Sequence, residues 1–161
     1  MKKFFNECVE TRSLHNLAVI AAKDFAQILK SHRYVTHYKY MHTYRDKNRC
    51  YVSFSGAILD KTLKLAPVND GTDVNLEYFN APIREALMAL DDLRGGYPLS
   101  AYQWLGHRLP KSPPTFFSGD REFESSYEGG RFLKNLQAFL PKLKQFEESI
   151  GILKANNRRQ K

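Results

Sequence analysis

A chain of 161 residues is usually one domain, long enough to bury a core without disulfides or metals. Its 42% hydrophobic and 13% aromatic residues exclude a compositionally disordered polypeptide. The net charge of +8 suits a phosphate backbone or an acidic protein surface alike, and no apolar run approaches the roughly 18–20 residues that span a bilayer.

The N-terminus begins Met1-Lys2-Lys3-Phe4-Phe5 and soon meets Glu7 and Glu10, so no secretory signal is expected there. Ser13 has the chemistry of an N-cap. Behind it Leu14, Leu17, Ala18, Ala21, Phe25, Ile28 and Leu29 recur at steps of three and four. That spacing predicts an amphipathic helix ending near Ser31-His32, with Ala18, Ala21 and Ala22 admitting a close neighbour.

Two readings of the next segment stand. As a strand, Tyr34, Thr36, Tyr38, Tyr40, His42 and Tyr44 share one face, and Asp46-Lys47-Asn48-Arg49 turns the chain into a second strand over Cys50 to Phe54. As a helix, Tyr34, Tyr38, Met41 and Arg45 form a mixed stripe. The hairpin is preferred because Tyr, Thr and Val favour extended backbone.

A helix is expected from Ser55, with Ile58, Leu59, Thr62, Leu63 and Ala66 on one face and Pro67 as its stop. Asp70-Gly71 marks a turn in the polar loop that follows. Asn80 caps the clearest helix, with Pro82 in its first turn, Ile83, Ala86, Leu87, Leu90 and Leu93 as its stripe, and Gly95-Gly96 as its end. Ser100 is expected to cap a short helix through Trp104, stopped at Gly106. Phe116-Phe117 should anchor the Pro-rich loop of residues 110–119 into the core. A last helix is predicted from about Gly130 to Ile150, and Pro141 inside it predicts a kink or two abutting helices. The fold class is therefore mainly α: one compact domain over residues 1–154, four to five helices and a short β-hairpin near residues 34–54, followed by a flexible basic tail at 155–161.

No residue set assembles a recognisable chemistry. His32, His37 and His42 are spaced by five, which fits neither a helix face nor a strand face for a metal. Cys8 and Cys50 are too few for a zinc site or a disulfide framework, and both are expected to be reduced thiols. Cys50 with a distant histidine is the sole thiol-nucleophile option. Asp91 and Asp92 are adjacent and diverge by about 100° on a helix, so they cannot form an acid–base couple by themselves. Gly95-Gly96 and Gly129-Gly130 lack the frame of a phosphate loop. No cofactor is implied.

What remains is surface chemistry. Four tyrosines and two histidines lie between Tyr34 and Tyr44, interleaved with Lys39 and followed by Arg45. Tyr and Arg are enriched at protein-binding hot spots. Tyr38, Lys39, Tyr40 and Arg45 are therefore the candidate partner contacts, with Trp104 a second one, although a lone tryptophan is more often core. The same rings could stack bases while Lys39, Arg45, Lys154, Arg158 and Arg159 hold phosphates, which is the nucleic-acid alternative. The bland reading packs one tyrosine face on the helices with its hydroxyls reaching water. Charge is also segregated: the first fifty and last thirty-one residues are each strongly basic, and the stretch between them is acidic.

Two stretches resemble a scattered group of small bacteriophage proteins. One is Cys50-Tyr51-Val52-Ser53-Phe54-Ser55-Gly56-Ala57-Ile58-Leu59, similar to that group's Cys, apolar run and Gly-Ala before a helix. The other is Ala89-Leu90-Asp91-Asp92-Leu93-Arg94-Gly95, similar to its Ala-Leu-Asp helix end. The tyrosine segment is not part of the likeness, and the group offers no catalytic residues to carry over. The resemblance implies a non-enzymatic accessory protein in the host cytoplasm. Such a protein would inhibit or redirect a host protein, for example a protease such as Lon, RNA polymerase or a defence enzyme. Homo-dimerisation is left open by the sequence.

Overall fold

The computed structural model describes residues 2–37, 41–46, 49–67, 74–116 and 125–154, the side chains of Arg45, Asp46 and Ser126 excepted. Among these are six helices, α1 (Lys2–Thr11), α2 (Leu14–Leu29), α3 (Gly56–Lys61), α4 (Ala81–Arg94), α5 (Pro98–Trp104) and α6 (Ser126–Ser149). Three short strands, β1 (Tyr34–Thr36), β2 (His42–Asp46) and β3 (Arg49–Val52), complete a mainly helical architecture. The expected turn at Lys47-Asn48, the Asp70-Gly71 turn, Phe117 and the tail 155–161 lie outside the described residues.

Helix α2 is the centre. Leu14, Leu17, Ala18, Ala21, Phe25 and Ile28 are buried along it, and it touches α1, α3, α4, α6 and β1. Ser13 caps it as expected, its Oγ accepting from the Asn16 amide at 3.0 Å. An edge-to-face trio of rings closes the core. Phe25 on α2, Phe54 before α3 and Phe132 on α6 stand with centroids 5.0–6.1 Å apart. Phe116 reaches in as predicted and stacks on Phe139 at 4.6 Å.

Helix α4 matches its sequence signals. Asn80 accepts from the Ile83 amide at 3.1 Å, Pro82 opens the helix, and Gly96 takes a φ of +88° just beyond its end. Elsewhere tertiary contacts overrule the local pattern. Helix α1 was not expected: Phe5, Cys8 and Val9 are its whole buried stripe, and ten residues are marginal for a helix without packing. Helix α3 stops at Lys61 rather than near Ala66: Thr62, bonded to the buried Asp24 carboxylate on α2, still has helical backbone as the C-cap, and Lys64 then adopts a left-handed φ of 54° that turns the chain out of the helix. Ser100 is not a cap. It sits inside α5 and donates to Asp92 Oδ2 on α4 at 2.6 Å. Helix α6 starts four residues earlier than predicted, from Ser125, whose Oγ accepts the Glu128 amide and also bonds the Glu128 carboxylate. It is one helix through Pro141, not two.

The tyrosine run is also not one strand. It divides into β1 and β2, and β3 inserts between them in the order β1-β3-β2. β1 runs parallel to β3 in the register Tyr34↔Cys50 and Thr36↔Val52, while β2 and β3 form the expected hairpin. This sheet leans on α3 at one glycine. A Cβ on Gly56 would lie 1.6 Å from the Met41 carbonyl oxygen, so backbone meets backbone there.

A buried carboxylate ties the two ends of the described chain together. Glu147, near the end of α6, is fully buried. It accepts from Ser13 Oγ at 2.5 Å, the His15 amide at 2.8 Å and the Tyr102 hydroxyl at 2.7 Å. Two of these donors belong to the first turn of α2, where exposed amides and the helix dipole favour an anion. Burial, then the Glu147 charge, holds the Tyr102 phenol well above its ordinary ionisation range.

Urea unfolding of four variants checks these contacts. Gly56→Ala should cost at least about 3 kcal/mol in urea unfolding, since neither backbone can yield cheaply. Gly130→Ala, where an added Cβ would meet nothing within 4 Å, should instead gain about 0.5–1 kcal/mol within α6. Glu147→Gln turns one acceptor into a donor facing donors and should cost about 1–3 kcal/mol, with Tyr102→Phe costing less in the same assay.

Candidate functional site

The described part of the tyrosine segment is braced internally. Tyr34 and Tyr44 are half-buried against the core. The Tyr34 hydroxyl donates to Asp60 Oδ2 at 2.6 Å, and Arg33 donates to the Tyr44 hydroxyl at 2.6 Å. Lys61 lies 5.0 Å above the Tyr34 ring. His42 is buried, and its Nε2 donates to Asp60 Oδ1 at 2.9 Å. Asp60 therefore gathers β1 and β2 onto α3. Burial pushes its carboxyl up, but hydrogen bonds from His42 and Tyr34, with the charges of His42 and Lys61, outweigh it and hold the group below its ordinary value.

Cys50 belongs to the same cluster, paired across the sheet with both Tyr34 and Tyr44. A histidine, a carboxylate and a thiol thus share one neighbourhood. Burial, then the Asp60 charge, pushes the Cys50 thiol up to about 12, and Cys50 has no exposed surface. A protonated, enclosed thiol is a poor nucleophile. Cys8 is likewise buried and pushed up to about 11 by burial, then by Glu7. Tyr38, Lys39 and Tyr40 lie outside the described residues, as do Arg158, Arg159 and the Arg45 side chain. Lys154 is exposed just past α6.

An open surface lies on and beside α5. Three of its neighbouring large hydrophobic residues face solvent: Tyr97 at 50%, Leu99 at 51% and Trp104 at 40% exposure. They are outward because Pro98, Ala101, Tyr102 and Leu105 spend the inner face of this short helix on the core. Trp104, expected more often in the core, is thus a surface residue. Beside it runs an open groove of about 600 Å³ lined by Leu99, Gln103, His107, Arg108, Leu109 and Lys111, together with Gly106 and Ser112. Gly106 takes a φ of +82°, which turns the chain sharply after α5. His107 Nε2 donates to the Arg12 carbonyl oxygen at 2.7 Å, fixing the groove rim to the end of α1. Lys111 reaches to 5.9 Å from the Phe146 ring.

Sequence reasoning singled out Trp104 but not Leu99, Arg108, Leu109 or Lys111. The local signal was available in part: a leucine pair flanked by cations around a glycine–proline punctuated turn. Among the described residues, no group of three or more His, Cys, Asp or Glu side chains is placed to hold a metal ion. No described helix is long and apolar enough to cross a membrane. No protein-family model matches the chain, and no match is found among curated proteins or solved structures.

The half-buried Asp60 and the buried Asp24 should respond to pH in opposite senses. Asp60, lowered in the fold, contributes stability that is complete above its unfolded value and is lost as pH falls through the folded value. Asp60→Asn should therefore lower Tm at pH 7, by the equivalent of about 1–3 kcal/mol, with the gap closing below about pH 4. Asp24 is raised, by burial foremost, against the opposing Thr62 hydrogen bond. Ionising it costs stability as pH rises through its native value, so Asp24→Asn should match or exceed the wild-type Tm at pH 7. That advantage should vanish toward pH 3. Thermal melts of both variants across pH 3–8 decide it, and parallel curves would contradict the assignment.

Proposed function

We propose that this chain is a non-enzymatic binding protein of the phage-accessory type, which inhibits or redirects a host protein by docking on it. The observation that supports this reading is the α5 face, where Tyr97, Leu99 and Trp104 stand in solvent within eight residues. Large apolar side chains held in solvent are candidates for interaction, and Trp and Tyr are over-represented among the residues that carry binding energy. The basic first fifty and last thirty-one residues touch where Ser13 and the His15 amide bond Glu147, which also holds Tyr102 of α5, and their charge would favour an acidic partner. Tyr38, Lys39, Tyr40 and Arg45 remain further contact candidates from the sequence.

The reading is tested by retention from nuclease-treated bacterial lysate on immobilised protein, at about 50 and 200 mM salt. A defined protein should be retained at both salts, and Leu99→Ser/Trp104→Ala should weaken its binding by roughly thirtyfold, the loss of about 2 kcal/mol. Retention that disappears with nuclease, or falls by orders of magnitude at the higher salt, would replace the protein partner with a nucleic acid.

A further inference from the structure

Resting on the reading of α5 as a docking face, we infer that the groove beside it takes an acidic stretch of the partner polypeptide. An aliphatic side chain of that stretch sits against Leu99 and Leu109 while its carboxylates meet Arg108 and Lys111. The groove lining contains no acidic residue. Arg108 and Lys111 are exposed, and the Arg12 guanidinium closes over the same rim, close enough that a Cβ on Gly106 would lie 3.3 Å from its Nη1. The nearby carboxylate, Glu147, is sealed beneath the surface with its oxygens engaged by Ser13, His15 and Tyr102. The cations along the groove therefore face solvent without an acid among the lining residues, and an incoming carboxylate supplies the missing charge.

The apolar part of the lining selects among anionic partners. Leu99 and Leu109 are aliphatic, whereas single-stranded nucleic acid is held by bases stacking on aromatic rings. Trp104 and Tyr97 lie outside the groove lining. The Gln103 amide offers both a donor and an acceptor to a passing peptide backbone. The groove's 600 Å³ falls within the range of about 300–1,000 Å³ typical of ligand sites. It is open to solvent, which leaves it accessible to a polypeptide segment. The backbone of the rim is braced by the His107–Arg12 hydrogen bond and the left-handed Gly106, which lowers the ordering cost there.

The test uses the full chain and fluorescence anisotropy with three labelled probes. One is a short peptide of glutamates around a leucine pair, one is the same peptide with glutamine for glutamate, and one is oligothymidylate of matched charge. The acidic peptide should bind, the glutamine peptide should bind at least roughly tenfold more weakly, and Arg108→Glu/Lys111→Glu should weaken the acidic peptide by a similar factor. Both substituted residues are exposed, and an unchanged melting curve shows that the variant is folded. Leu109→Ser should weaken both peptides together. Equal binding of the glutamine peptide, preference for oligothymidylate, or indifference to the charge reversal would each overturn the inference. If partner retention depends on Leu99 and Trp104 but not on Arg108 and Lys111, the docking face stands and the acidic ligand falls. If retention depends on neither pair, the docking face itself is wrong.

Discussion

A single enclosed carboxylate organises this molecule. Glu147 comes from the last helix, two of its donors from the first turn of the central helix, and the third from α5. A buried carboxylate is costly when unpaired, and here three donors and a helix N-terminus compensate it. The arrangement fixes three directions at once: where α2 begins, how α6 ends, and how deeply α5 is drawn in. With Pro98, Ala101, Tyr102 and Leu105 turned to the core, Leu99, Gln103 and Trp104 are left on the outer flanks of this short helix. The lock beneath α5 thus fixes one of the four residues that set its inner face.

The sheet side uses the same device in milder form. Asp60 collects Tyr34 from β1 and His42 from β2, and Asp24 collects Thr62 from the end of α3. Each carboxylate lies between elements that the hydrophobic effect alone would hold less specifically. Leucines and phenylalanines supply the bulk of the core; the acids and their donors set the register in which helices and strands meet.

What the sequence disclosed follows the range of the interactions involved. α2 and α4 were legible because their caps, Ser13 and Asn80, and their apolar spacing are local signals. Helix α1 was not, because its stripe of Phe5, Cys8 and Val9 gains its helical state by packing. The early stop of α3 comes with a left-handed Lys64, which no local signal marks, and Ser100 inside α5 bonds Asp92 of α4. The division of the tyrosine run depends on β3 inserting between its halves, a non-local pairing that no alternation pattern encodes. The groove was hidden for the same reason. Its rim joins His107 to Arg12 across a separation of 95 residues, and neither half looks like a site alone.

The placement of Trp104 has a practical consequence. It is the chain's one tryptophan, and it stands 40% exposed at the end of α5. Indole emission shifts to shorter wavelength when water leaves its ring, and with one indole the signal has one origin. The molecule therefore carries its own optical reporter at the surface in question. Occupancy of α5 can be followed without a label, in the native chain, by the colour of its intrinsic fluorescence.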